Sequence, residues 1–314
     1  MEAEASRIAH YQAGKLVDGD ADGFVAQMAR SAASQVLSRA NASVPAAASR
    51  RGEPAKYARV LRGPEPCGWC FILAAKGFDY NSAEAASHSH RGCRCVVVPG
   101  DSDMAIEGYD LVGIKARYDL IVAACGDKPA TKTVVRFAEL HDPGWLYDGT
   151  IPEIDERYVT LEEMRGTSDE VNIPTIELMR DRGFKVTPRP LQARGPDGRV
   201  IDGVTNPDIF INESELWEIK HRNPKNPGMN ENGKLTFVAS AFKSAGHNFK
   251  NVYDIEGKRG GGPVRERRVV LDLGTHHFNA STKDLDKAIT NGMRSYHVSE
   301  VIVVMPDGSF RFYR

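Results

Sequence analysis

Two carboxylates and a lysine stand close together in the run Asn206-Pro207-Asp208-Ile209-Phe210-Ile211-Asn212-Glu213-Ser214-Glu215-Leu216-Trp217-Glu218-Ile219-Lys220. Glu218 and Lys220 are two apart, so on a strand they project from the same face. A hairpin turning at Asn212-Glu213-Ser214 brings Asp208 beside them. Two carboxylates next to a cation form a divalent-metal site. Such a metal activates water and stabilises the charge that develops on a phosphoryl group, and the lysine orients the nucleophile or holds the phosphate. The competing structural reading is a surface hairpin with an incidental ion pair. Against it, the acids sit on strands otherwise built of Ile209, Phe210, Leu216, Trp217 and Ile219, and carboxylates are costly in so apolar a setting.

The elements that must carry these residues follow from the flanking pattern. A helix over 175–182 stops at Gly183, and a short strand follows over 184–187. The two hairpin strands cover 208–212 and 216–220. A helix over 237–249 precedes a strand over 268–273, then come a helix over 283–296 and strands over 301–305 and 310–313. Helices alternating with short strands predict an α/β domain with a mixed sheet.

Pro207-Asp208 with Glu218-Ile219-Lys220 resembles the PD-(D/E)xK nuclease motif. Its setting over about residues 168–314 resembles the C-terminal toxin domain of contact-dependent inhibition proteins, the CdiA-type tRNA nucleases. The resemblance implies Asp208, Glu218 and Lys220 as catalytic residues, with Asp208 and Glu218 holding Mg²⁺ (or Zn²⁺ or Mn²⁺). It implies tRNA as the favoured substrate, although relatives of this fold also cut DNA, and a cognate immunity protein as partner. Such nucleases add an acid from the leading helix. Glu177 is the nominal candidate here, with Glu170 and Asn172 as alternatives.

The net charge of −1 conceals a local excess: residues 220–268 hold 11 Lys/Arg against 4 Asp/Glu. An anionic partner for that segment is the direct inference. His221, Arg222 and Lys225 extend the cationic edge beyond Lys220, and Lys243 and His247 continue it on the following helix; all five are candidates for nucleic-acid contact.

A second cluster lies upstream. Cys67, Cys70, His88, His90, Cys93 and Cys95 place six soft ligands within 29 residues. A C-x2-C followed by a second knuckle has the spacing of a closed tetrahedral zinc site, with Cys67, Cys70 and Cys93 and either Cys95 or His90 as ligands. The alternative is cysteines packed as small hydrophobes. The stretch from Arg59 to Pro99 resembles the minor capsid proteins of tailed phages, the Mu F-like group. The carrying motifs are Pro66-Cys67-Gly68-Trp69-Cys70 and His90-Arg91-Gly92-Cys93-Arg94-Cys95, and Ile106 to Asp110 fits the group's ending. The resemblance spans about residues 1–120 and implies a structural part of the phage head or portal region, with other head or portal proteins as partners.

With 314 residues, two domains are the better expectation. Residues 1–60 contain 16 alanines, and their apolar spacing predicts two amphipathic helices. No window approaches the roughly 18 apolar residues of a membrane span, and the acidic N-terminus is not a signal peptide. The fold class is therefore α+β overall. Residues 1–125 form a helical, Cys-rich, phage-capsid-like module, 126–160 a linker, and 161–314 the α/β nuclease-like domain. The function expected is a metal-dependent endonuclease toxin, carried by the phage particle or the producing cell and acting in the cytoplasm of a bacterial target. Its rivals are a DNA endonuclease of the same fold and a non-enzymatic capsid protein that binds nucleic acid.

Overall fold

A computed structural model describes residues 21–22, 24–25, 28–29, 56–62, 67–87, 95–101, 104–106, 109–141, 159–190, 199, 206–212, 215–222, 235–249, 266–274 and 280–314. The chain divides into two units, Met1–Tyr118 and Asp119–Arg314. The architecture is mixed α+β, with two sheets among the described residues.

In the first unit, β1 (Lys56–Val60) pairs antiparallel with β2 (Val96–Gly100), Val60 facing Val96. Between them lie α1 (Gly68–Ala74) and α2 (Ala83–Ala86). Tyr57, Leu73, Tyr80, Ala86 and Val97 form a small core. Buried Arg59 is held by polar groups: its guanidinium donates to the carbonyl of Ala86 at 2.8 Å and to Cys70 Sγ at 3.5 Å. The strand expected to close the cysteine stretch is β2, while β1, which follows the breaker Gly52-Glu53-Pro54, was not expected. Of the two helices expected in residues 1–60, the described residues Ala21, Asp22, Phe24, Val25, Met28 and Ala29 are helical; the remainder lies outside the described residues. The helix α3 (Leu111–Ala124) spans the division between the units.

The second unit is built on one six-stranded sheet in the order β3-β4-β5-β6-β7-β8. Its strands are β3 (Val186–Pro188), β4 (Ile209–Ile211), β5 (Glu215–His221), β6 (Arg268–Asp272), β7 (Glu300–Val304) and β8 (Phe310–Tyr313). The hairpin β4–β5 is antiparallel, with Ile209 facing Trp217. Strands β5, β6 and β7 are parallel, joined by the crossover helices α7 (Thr236–Asn248) and α8 (Thr282–Tyr296). Because both connections run the same way along the sheet, their shared handedness puts both helices on one face. There Phe237, Val238, Phe242, Leu285 and Ile289 pack on Phe210, Leu216, Val269, Leu271, Val301 and Val303. Gly292 of α8 admits this packing: an added Cβ would lie 2.7 Å from the Phe242 ring.

Phe310 and Phe312 of β8 join Phe137 and Phe184 in an aromatic cluster. Phe137 comes from α4 (Thr131–Leu140), so part of the stretch read as a linker is a packed helix. Its apolar spacing, Val134, Phe137 and Ala138, was present in the sequence. Next come α5 (Leu161–Met164), a one-and-a-half-turn 3₁₀ helix (Ser168–Asn172) and α6 (Ile173–Asp181). Gly183 ends α6 in the left-handed region at φ 84°. Its N–H returns to Arg180 O and that of Phe184 to Met179 O, satisfying the last carbonyls. The strand expected over 184–187 begins at Val186, since Phe184 makes only a single bridge to His141.

The two ends of the parallel strands differ in chemistry. At their amino ends, Arg136 reaches across from α4 to Glu300 (2.5 and 3.0 Å) and Glu215 (2.6 Å), and Arg268 lies 3.5 Å from Glu300. Burial opposes the charge on Arg136, but these two carboxylates hold its pKa above the usual arginine value. The carboxyl ends, where open sheets bind ligands, carry a different set of residues.

Candidate active site

Glu218 lies in the middle of β5 with its side chain fully buried under α7. Strand alternation sends it and Lys220 to the same face, as expected. Lys220 Nζ donates to Glu218 Oε1, and Asn248, the last residue of α7, donates to the same oxygen at 2.5 Å. The other oxygen, Oε2, is shut off from solvent and has no hydrogen-bond partner among the described residues. Asp208 ends the loop into β4, and its Oδ2 accepts the backbone N–H of Ile219 at 2.6 Å. The hairpin register thus brings Asp208 against the Glu218–Ile219–Lys220 backbone.

Electrostatics join these groups. Burial, then the charge of Glu218, push the Asp208 carboxyl well above the ordinary carboxylate range. Burial raises Glu218 likewise, opposed mainly by Lys220. A third acid adds to both: Asp169, on the 3₁₀ helix, raises Asp208 and Glu218, is itself raised by burial, and is lowered by Lys220.

The acid whose charge acts on Asp208 and Glu218 is thus Asp169, while Glu177, the expected third acid, is exposed. Glu177 stands exposed on α6, whose buried residues are Ile173, Thr175, Ile176 and Met179. Glu170 is exposed too and accepts from Gly166 N at 2.9 Å. Asn172 is buried and its Oδ1 lies 2.8 Å from Nε2 of His221. The acid comes from the turn before the helix. Its signal was the capping pattern Thr167-Ser168-Asp169-Glu170, in which Thr167 Oγ1 accepts from Asp169 N at 3.2 Å.

The remaining candidates separate. Lys243 and His247 are exposed on the outer side of α7, away from the Phe237, Ala241 and Ala245 face. Arg222 follows β5 directly, its N–H donating to Asp272 O at 3.1 Å. Lys225 lies outside the described residues. Asp272, at the carboxyl end of β6, faces His221 in register and was missed; a lone acid closing the apolar run Val269-Val270-Leu271 was its signal.

The donor set fits a small, hard divalent cation. Oxygen ligands are what Mg²⁺ and Mn²⁺ take, Glu218 Oε2 is an orphaned acceptor, and mutually repelling carboxylates gain from a dication. Asp208 and Glu218 are the residues that would hold it. Among the described residues no three His, Cys, Asp or Glu side chains stand as a ready-made ligand cluster.

With both halves described, comparison with known proteins bears on one of them. Residues 1–121 match the VG15 protein family. VG15 is a phage-associated family, and the first unit is similar to it; the match ends well before Asp169. No curated protein and no solved structure matches the chain. Within the VG15 segment, Cys70 and Cys95 are buried and Cys67 is half-buried. Cys67 caps α1, its Sγ accepting from Cys70 N at 3.3 Å. Cys93 and His90 of the expected zinc site lie outside the described residues. No helix among the described residues is long and apolar enough to cross a membrane.

Proposed function

We propose that the second unit is a metal-dependent phosphodiester hydrolase, a nuclease toxin domain of the PD-(D/E)xK kind, joined to the VG15-matching phage module. The observation that carries this reading is Glu218: a fully buried carboxylate with one oxygen unpartnered among the described residues, held mid-strand in β5 beside Lys220 and Asp208. Binding nucleic acid alone requires exposed cations and gives no reason to bury an incompletely paired acid. Catalysis does.

A divalent metal held by Asp208 and Glu218 would supply Lewis-acid polarisation of the scissile phosphate and acidify a water. The chain's own groups do the rest. Asn248 and the Lys220 ammonium fix Glu218 through Oε1, leaving Oε2 free of a donor among the described residues. The backbone N–H of Ile219 fixes Asp208. Lys220 remains partly accessible, at 21% side-chain exposure, so its ammonium can meet a phosphate oxygen or orient an attacking water as charge develops. Asp169 adds negative potential that draws a cation into the site.

The favoured substrate is tRNA, from the resemblance to CdiA-type toxins; the chemistry alone specifies a phosphodiester. The domain would act in a bacterial target cell, and a cognate immunity protein would protect the producer. The test incubates the full chain with total tRNA and with plasmid DNA, each with Mg²⁺ and with EDTA, beside Glu218→Gln. Cleavage that needs Mg²⁺ and vanishes in the variant supports the nuclease, and the substrate cut separates RNA from DNA. A folded chain that binds but cuts neither overturns it.

A further inference from the structure

Beyond the acids and lysine, four polar side chains from four elements meet at the carboxyl ends of β5 and β6. His221 Nε2 lies 2.8 Å from Asn172 Oδ1. Its Nδ1 lies 3.6 Å from Asp272 Oδ2. Thr175, at the start of α6, donates its hydroxyl to that same oxygen at 2.5 Å, and Gly274 N donates to Asp272 Oδ1 at 2.6 Å. Asn172 and Thr175 are 4% and 1% exposed. A polar network this buried specifies an arrangement, because each member loses its partner if the elements shift.

Both imidazole nitrogens of His221 thus face protein groups, so the ring is placed to hold and not to shuttle a proton to substrate. What it holds is the 3₁₀ helix. In a helix with three residues per turn, side chains at i and i+3 eclipse, so Asn172 and Asp169 share one side of the 3₁₀ helix. Anchoring Asn172 on β5 fixes the face from which Asp169 acts on Asp208 and Glu218. We propose that His221 is a positioning residue, which with Asn172 and Asp272 pins the turn carrying Asp169 against the metal-binding carboxylates. This rests on the metal-site reading above and replaces the expectation that His221 contacts nucleic acid.

The test uses the full chain with Mn²⁺ alone as probe, in two arms. Deuterium uptake over residues 165–179 reads the pin itself, without metal. Calorimetric titration with Mn²⁺ reads its consequence in the wild type, His221→Leu, Asp169→Asn and the double variant. We expect uptake about tenfold faster in His221→Leu and Mn²⁺ affinity about tenfold weaker, within the range for outer-shell substitutions. The double variant should be no weaker than Asp169→Asn, since both act through one group. His221→Gln, whose amide can donate to Asn172 Oδ1, should restore both to within about threefold, whereas a merely structural histidine would not be rescued in affinity. Asn172→Ser breaks the same contact from the other side and serves if the leucine variant does not fold. Unchanged uptake overturns the pin. Faster uptake with unchanged or additive Mn²⁺ affinity overturns the link to Asp169. A wild type that binds no Mn²⁺ overturns the metal reading and that link together, while uptake still decides whether the pin exists.

Discussion

Asn248 and Glu218 are joined across the sheet–helix interface: the amide at the end of α7 donates to Oε1 of Glu218 at 2.5 Å. With Lys220 on the same oxygen, the carboxylate cannot rotate without losing two donors, so Oε2 is presented in one direction. Replacing Asn248 by Ala removes one of the two. Cleavage by Asn248→Ala should fall about tenfold, the effect of about 1.4 kcal/mol of lost orientation. Single-turnover assays at saturating Mg²⁺, with circular dichroism as a folding control, check it. Unchanged turnover would mean that Lys220 alone fixes the acid.

The raised carboxyls make stability depend on pH in a defined direction. Asp208 has a folded pKa well above its ordinary 3.8, because of burial first and Glu218 second. The folded protein therefore holds this proton more tightly than the unfolded chain does. Its contribution is fully present below about pH 3.8 and is lost as pH climbs through the raised folded value. Asp208→Asn removes the charge while its side-chain oxygen can still accept from Ile219 N. The variant should thus be more stable than wild type at pH 8, by about 1.4 kcal/mol for each pKa unit relieved, with the gap closing at acid pH. Urea denaturation at pH 5 and pH 8 measures it. Saturating Mg²⁺ should narrow the gap at pH 8 by stabilising the wild type.

Asp169 and Glu177 make opposite predictions. Asp169 acts electrostatically on both strand acids, whereas Glu177 is exposed on α6. Asp169→Asn should weaken metal affinity about tenfold, as loss of an outer-shell carboxylate does, and Glu177→Gln should leave it within about twofold. Titration with Mn²⁺ distinguishes them. A larger effect at Glu177 would return the third acid to the helix.

Why the first two acids were legible in the sequence and the third was not has a physical basis. Asp208, Glu218 and Lys220 lie within one hairpin, where period-2 alternation and a single turn dictate which side chains meet. The helices after β5 and β6 announced themselves through their apolar spacing. Asp169 reaches the site through tertiary packing of a short 3₁₀ helix, and its local pattern reads as a helix cap. His221 looked like one more cation in a basic run. Only the parallel register that sets it opposite Asp272, a contact about fifty residues away in sequence, assigns it to a buried network. Lys243 and His247 share the charge of that run but sit on the outer face of α7, which composition does not reveal.

The opposite end of the sheet should behave as structure alone. Arg136 bridges Glu300 and Glu215 at the amino ends of β7 and β5, and Glu300 is only 2% exposed. Removing the arginine takes away the closer cation and leaves buried Glu300 only Arg268, at 3.5 Å. Arg136→Met should therefore cost about 3 kcal/mol, the low end for breaking one side of a buried pair, because Arg268 still faces Glu300. Replacing Glu300 by Gln as well should recover part of it, because the under-compensated charge is then gone. Since the network lies at the amino ends and Asp208, Glu218 and Lys220 belong to the hairpin side and carboxyl ends of the strands, the folded fraction of Arg136→Met should cleave at the wild-type rate. Urea denaturation of the single and double variants, with turnover normalised to folded protein, checks both parts. A loss of turnover per folded molecule would show that the two ends of the sheet are coupled.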